Sequence, residues 1–156
     1  MTTITPYLWF DNNAEEAITL YSSLFDDAKI INQARYPEGM PQAGLLMNVE
    51  FELAGQKFIA LNGGPHFAFT EAVSFLVSVE TQDEVDRLWT ALTADGGQES
   101  RCGWLRDRFG LSWQIVPSAL GRYLSDPDPE RAGRVMGAML QMTRIVIADL
   151  DAAAAG

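Results

Sequence analysis

The chain has 156 residues, a net charge of -10 and 47% hydrophobic residues, the size and make-up of one globular domain able to bury about two thirds of its unfolded surface. So acidic a surface repels phosphate backbones and anionic headgroups, and Arg101, Arg106 and Arg108 would be split between strand faces, so general nucleic-acid and membrane association are excluded. Cys102 is the only cysteine, which rules out an intrachain disulfide. With no run of about 20 apolar residues, the chain reads as a cytoplasmic protein.

Ile4 to Phe10 is rich in aromatic and branched residues and predicts a strand. Asn13 and Glu16 have capping-box spacing, and Ala14, Ala17, Ile18, Tyr21, Leu24 and Phe25 recur along one helical face that ends near Asp26 and Asp27. Lys29 to Tyr36 predicts the next strand, and Pro37 to Pro41 a loop. Leu45 to Leu53 and Lys57 to Asn62 follow as strands joined through Ala54-Gly55-Gln56, before Gly63-Gly64-Pro65 breaks the pattern.

A second pass begins at Val73 to Val79, an apolar strand interrupted only by Ser74 and Ser78. Thr81 and Glu84 form a second capping-box pair, and Val85, Leu88, Trp89 and Leu92 make a stripe ended by Gly96-Gly97. Sliding the first unit by 68 residues lays Ala17, Leu20, Tyr21 and Leu24 onto those four positions. Strands over Glu99 to Cys102, Gly103 to Arg106 and Leu111 to Val116 complete the repeat, with a Phe109-Gly110 turn matching Ala54-Gly55. The architecture is thus a strand, a helix and three strands, stated twice, over 4–62 and 73–117. That duplication implies a shaped cavity.

The rest, 118–151, predicts a helical extension. Ser118 to Leu124 reads as a short helix. Asp128-Pro129-Glu130 supplies a cap, a first-turn proline and a first-turn acid, followed by the stripe Ala132, Val135, Met136, Met139 and Leu140. The methionines Met136, Met139 and Met142 fill a core or a dimer contact. Arg144 to Ala148 is either a last strand or the start of a terminal helix, and Ala152 to Gly156 is expected to fray.

Cys102 to Pro117 reads Cys-Gly-Trp-Leu-Arg-Asp-Arg-Phe-Gly-Leu-Ser-Trp-Gln-Ile-Val-Pro. Together with Thr5-Pro6-Tyr7-Leu8-Trp9-Phe10, Ala14-Glu15-Glu16-Ala17, Asn62-Gly63-Gly64-Pro65-His66-Phe67, and Arg134-Val135-Met136 through Met139-Leu140-Gln141-Met142, it resembles the PhnB-like branch of the vicinal oxygen chelate superfamily. This group is often labelled 3-demethylubiquinone-9 3-methyltransferase-like and is related to glyoxalase and bleomycin-resistance proteins. The resemblance spans nearly the whole chain. It implies an α+β fold in which paired βαβββ units curl an eight-stranded mixed sheet around a pocket, with extra C-terminal helices, as a single domain over 1–156 and in a homodimer.

Metal-dependent members of that superfamily place His, Gln or Glu on the first and last strand of each unit, so that four side chains converge on an ion. By resemblance those positions fall at Gln114, Ser74, Ile59 or Ala60, and Thr5 or Pro6. Only Gln114 is a ligand type, and one amide oxygen does not hold a divalent ion against water, so no metal and no cofactor are expected. The expected ligand pocket comprises Tyr7, Trp9, His66, Ser74, Cys102, Trp104 and Gln114. Asn48 and Asn62 also reach it in one register.

His66 offers an acid or base near neutral pH, with Glu71 as the carboxylate closest to it in sequence, although a lone histidine more often serves packing. Cys102 is placed on one face with Trp104 and Arg106 by alternation, and reads as an inert thiol unless a base accompanies it. Trp104 and Trp113 are read first as core aromatics, and Gln114 on the pocket side would put Trp113 under a helix. Ser74, Leu76 and Ser78 share a face that suits a wet cavity or backbone hydrogen bonds.

A metal-free protein that takes a small apolar or aromatic molecule into the curled sheet therefore ranks first. Next comes an enzyme of isomerase, lyase or dioxygenase class using His66, Glu71, Cys102 and Gln114, then a dimeric interaction module with no ligand. A methyltransferase finds no support, because Asn62-Gly63-Gly64-Pro65 lacks the Gly-x-Gly-x-x-Gly run that opens a nucleotide-binding helix.

Overall fold

The computed structural model describes residues Met1–Gly156, which form two compact units, Met1–Ala68 and Phe69–Gly156. The first contains strand β1 (Tyr7–Phe10), helix α1 (Ala14–Leu24) and strands β2 (Lys29–Arg35), β3 (Leu46–Leu53) and β4 (Gln56–Asn62). The second repeats that order with β5 (Ser74–Val79), α2 (Gln82–Thr93), β6 (Gln98–Glu99), β7 (Trp104–Arg106) and β8 (Ser112–Pro117), then adds α3 (Ser118–Leu124), α4 (Pro129–Met139) and α5 (Ile147–Ala155). The predicted α+β architecture of paired βαβββ units is therefore present. Its eight strands are divided between two four-stranded mixed sheets, ordered β1-β4-β3-β2 and β5-β8-β7-β6.

In the first unit β1 runs parallel to β4, while β3 pairs antiparallel with both β2 and β4. Two-residue alternation buries Val49, Phe51 and Leu53 of β3 and Phe58 and Ala60 of β4. On this face lies the apolar stripe of α1, with Ala14, Ala17, Ile18, Tyr21 and Leu24 buried. Phe51 and Phe58 are cross-strand partners whose rings stack 5.4 Å apart. Each such fully buried side chain contributes about 1.5–3 kcal/mol. Ala54 and Gly55 turn the β3–β4 hairpin, both with positive φ, 47° and 80°, the combination a two-residue turn of matching twist demands.

Two expectations for this unit are corrected. Ile4 lies outside β1 and is exposed; Pro6 has no N–H for the ladder, and pairing continues only through its carbonyl, which accepts from Ile59 N at 3.0 Å. Asn13 makes no side-chain cap. The first turn of α1 is served from β4, where Asn62 Oδ1 accepts from Ala14 N at 2.9 Å.

The second unit keeps the plan. Thr81 and Glu84 form the full capping box, and Val85, Leu88, Trp89 and Leu92 of α2 are buried as predicted, against β7 and β8. The extension has its own core of Leu120, Val135, Ile145, Leu150 and Ala154, against which Met139 and Met142 pack. Val135 alone of the α4 stripe is buried there; Met136 and Leu140 are exposed. Gln82 stitches the extension to α2, its Nε2 donating to Ile145 O at 3.0 Å and its Oε1 accepting from Ile147 N at 2.8 Å.

Three corrections follow here. Glu99 to Cys102 is not a strand: β6 ends at Glu99, and Cys102 and Gly103 both have positive φ, 59° and 83°. Their N–H groups leave the sheet and donate to Met142 O and Thr143 O at 2.8 and 2.7 Å. Phe109-Gly110 does not copy the Ala54-Gly55 turn, since only Gly110 has positive φ there; the loop is instead built around Asp107. Ala152 to Ala155 is helical and does not fray, because Arg134 donates to Ala153 O and Ala154 O, both at 2.9 Å, capping α5 with the guanidinium that its last carbonyls favour.

Candidate functional site

Each sheet has a face away from its helix, and the residues expected to line a pocket lie on or beside these faces. In the first unit Leu8 and Phe10 are buried, so alternation turns Tyr7 and Trp9 to the open side, and Tyr7 is 55% exposed. Trp9 is fixed by an indole N–H donated to Gly64 O at 2.9 Å and by edge-on contacts with Phe67 at 4.9 Å and His66 at 6.5 Å. A Cβ at position 63 would collide with the Trp9 ring, so Gly63 is required by close approach.

The segment Asn62 to Phe67 thereby acquires a structural account. Buried Asn62 accepts from Ala14 N, donates to Leu46 O at 3.2 Å, and its own carbonyl accepts from the Tyr36 hydroxyl at 2.5 Å. Gly63 admits the indole, Gly64 receives its N–H, and His66 and Phe67 close against it. His66 is exposed and stands against Trp9. Glu71, in the other unit, pairs with Arg106.

In the second unit the alternation of β8 buries Trp113 and Ile115 under α2 and leaves Gln114 and Val116 on the less buried side, as expected. Ser74 and Gln114 come together, Gln114 Nε2 donating to Ser74 Oγ at 3.0 Å. Leu76 and Ser78 on that face are exposed. Trp104 is half-buried on it. Cys102 sits in the left-handed turn preceding β7, so the alternation that grouped it with Trp104 and Arg106 does not apply.

Register extends the polar character across the whole sheet. Ser74 is opposite Ser112, Ser112 opposite Arg106, and Arg106 opposite Gln98, so one row of polar side chains crosses β5, β8, β7 and β6. Arg106 Nη2 donates to Gln98 Oε1 at 2.6 Å, and Nη1 lies 3.7 Å from Glu71 Oε1. This pair shares a cavity of about 120 Å³ bordered by Glu71, Gln98, Ser100, Trp104, Arg106 and Ser112. Sequence reasoning grouped Arg106 with Trp104 and Ser112 with Gln114. It did not join the two groups, because only cross-strand register makes them one site.

Asp107, next in chain to Arg106, was also missed. It is 2% exposed and accepts three hydrogen bonds, from Phe109 N and Leu111 N through Oδ1 and from Trp113 Nε1 through Oδ2. The signal available was an acid placed one turn before a buried tryptophan.

The fit of a divalent ion can be judged from the donor set. Ser74 and Gln114, two of the four positions the resemblance points to, bind each other, and the others, Thr5 or Pro6 and Ile59 or Ala60, offer at most one further hydroxyl. No three His, Cys, Asp or Glu side chains gather anywhere. A hydroxyl and an amide are weak neutral ligands, and these residues do not fit a catalytic metal. No helix is long and apolar enough to cross a membrane.

Known proteins agree with this architecture. A Bacillus cereus PhnB protein, carrying a provisional 3-demethylubiquinone-9 3-methyltransferase designation, superposes with a TM-score of 0.68 at 34% identity, over 74% of this chain and 99% of its own. A Pseudomonas aeruginosa protein does so with a TM-score of 0.62 at 22% identity, over 75% and 98%. A genomically encoded fosfomycin resistance protein, FosX, from Listeria monocytogenes shares the fold alone, at 12% identity and a TM-score of 0.51, over 75% and 93%. No curated protein matches the sequence. Residues 2–116 match the family described as 3-demethylubiquinone-9 3-methyltransferase, and the chain therefore belongs to this PhnB-like family.

Proposed function

We propose that this chain is a small-molecule-binding protein of the glyoxalase and bleomycin-resistance type, acting without a catalytic metal, as a cytoplasmic homodimer. The observation that carries this reading is the Ser74–Gln114 hydrogen bond of 3.0 Å. It joins two superfamily ligand positions to each other in a face that also holds a polar cavity. The residues needed by the enzymatic alternative have separate partners: His66 packs on Trp9, Glu71 pairs with Arg106, and the Cys102 backbone is bonded to Met142. That each of these contacts is made within its own unit supports binding over covalent or acid–base chemistry. Methyl transfer gains no support from Gly63 and Gly64, which serve the seating of Trp9.

The test combines elemental analysis of the purified protein with a fragment screen followed by NMR, and light scattering for the dimer. The expected result is no stoichiometric metal, and saturable shifts from at least one small molecule. Stoichiometric zinc, manganese or iron, or the absence of any ligand, would overturn the reading. A monomer at micromolar concentration would remove the homodimer from it.

A further inference from the structure

Ser112 Oγ is the one buried side-chain polar atom without a hydrogen-bond partner, on a residue only 1% exposed. Buried hydroxyls are ordinarily satisfied, because leaving one unpaired costs free energy. Ser112 is one of the residues bordering the 120 Å³ cavity that Arg106 and Glu71 also border. We propose that the cavity is a binding site for a small neutral ligand presenting a hydrogen-bond donor beside an acceptor, an amide or urea edge, which meets Ser112, Arg106 and Glu71 together. The proposal deepens the small-molecule reading and rests on it.

The ligand class follows from the charges and the gap. Arg106 Nη1 and Glu71 Oε1 stand 3.7 Å apart with side chains 42% and 68% exposed, well beyond the 2.7–2.9 Å of a charge-assisted hydrogen bond. Each therefore keeps capacity for another partner. Gln98 Oε1, at 2.6 Å, holds the other guanidinium nitrogen and fixes the fork in place. The remaining acid on the border, Glu99, has its Oε1 taken by Trp89 Nε1 at 2.7 Å.

Arg106 and Glu71 offset each other, and Glu99, one oxygen of which is engaged by Trp89, adds a negative charge to the border that further disfavours an anion. An anion drawn to Arg106 would be repelled by Glu71, and a cation drawn to Glu71 would be repelled by Arg106. A carbonyl with an adjacent N–H suits both: its oxygen accepts from Arg106, its N–H donates to Glu71, and the unpartnered Ser112 hydroxyl on the same border offers a further partner. Half-buried Trp104 provides an aromatic border. The volume lies well below the roughly 300–1,000 Å³ of drug-sized sites. It admits a compact head group, not a large ring system.

The test uses the full-length ¹⁵N-labelled protein, titrated to high millimolar concentration with acetamide and, separately, with sodium acetate and methylammonium chloride. Saturable acetamide shifts are expected at Glu71, Arg106 and Ser112, with affinity at least severalfold above either ion. Ser112→Ala should weaken acetamide binding by about tenfold, the worth of one hydrogen bond. Its Tm without ligand should be unchanged or higher, since the substitution removes an unpaired polar atom. Arg106→Gln should abolish the shifts, and Ser112→Ala decides alone if that variant misfolds. Equal or tighter binding of acetate or methylammonium, or a lowered Tm for Ser112→Ala, would overturn the proposal. So would the failure of acetamide while other fragments saturate elsewhere, which leaves the small-molecule reading standing; failure of every fragment defeats both.

Discussion

Asp107 Oδ2 accepts the indole N–H of Trp113 at 3.0 Å, and both residues are almost wholly buried, at 2% and 3% exposure. The same carboxylate holds the N–H groups of Phe109 and Leu111. One side chain thus shapes the β7–β8 loop and fixes the tryptophan that packs under α2. Asp107→Ala leaves three donors without this acceptor, two of them buried, and should lower stability by about 3 kcal/mol or more. Asp107→Asn should cost less in the loop but turns an amide N–H toward Trp113 N–H. Urea unfolding and the tryptophan emission spectrum check both, and a loss under 1 kcal/mol for the alanine variant contradicts the assignment.

Gly63 owes its identity to Trp9. Gly63→Ala should destabilise by about 1–3 kcal/mol through overpacking. In a Trp9→Ala background the same change should cost little, so a double-mutant cycle must show strong coupling. Additive effects would place the cause elsewhere.

Ala54 occupies the first left-handed position of a two-residue turn, with φ of 47°, where a Cβ costs about 1–2 kcal/mol. Asparagine tolerates that region, and Asn-Gly is the strongest pair for such a turn. Ala54→Asn should therefore raise stability by up to about 1 kcal/mol, seen as a higher denaturation midpoint with an unchanged m-value. A lowered midpoint refutes this turn assignment.

Glu84 has its carboxyl held below the usual glutamate range by the N–H of Glu80, then by the N–H and hydroxyl of Thr81. A depressed folded-state pKa means its contribution is present above the ordinary glutamate value and is lost as pH falls through the lower, folded one. Carboxyl ¹³C NMR should place Glu84 below the exposed glutamates. Glu84→Gln should flatten the acid limb of the stability profile, with its effect largest near neutral pH.

What the sequence discloses is whatever depends on near neighbours. The Thr81 and Glu84 box is three residues long and reads directly, as does the stripe Val85, Leu88, Trp89 and Leu92. Asn13 has the same spacing to Glu16, yet Asn62, 48 residues away, provides the hydrogen bond. Cys102 looks like strand until carbonyls at Met142 and Thr143 draw it out of line. The terminal alanines look frayed until Arg134 reaches them. In the site, Ser74 and Gln114 were each legible by type. Ser112, Arg106 and Gln98 became one row only through cross-strand register, which no local pattern encodes, and Glu71 joins them from the loop before β5.

Gln82 is the first residue of α2, and under the 68-residue offset its counterpart is Ala14, the first of α1. An amide side chain both gives and receives a hydrogen bond to the backbone around Ile145; a methyl group has nothing to offer. Of the two sister halves, the later one thus carries, at Gln82 as well as at the Cys102–Gly103 turn, the polar handles that hold the helical extension in place.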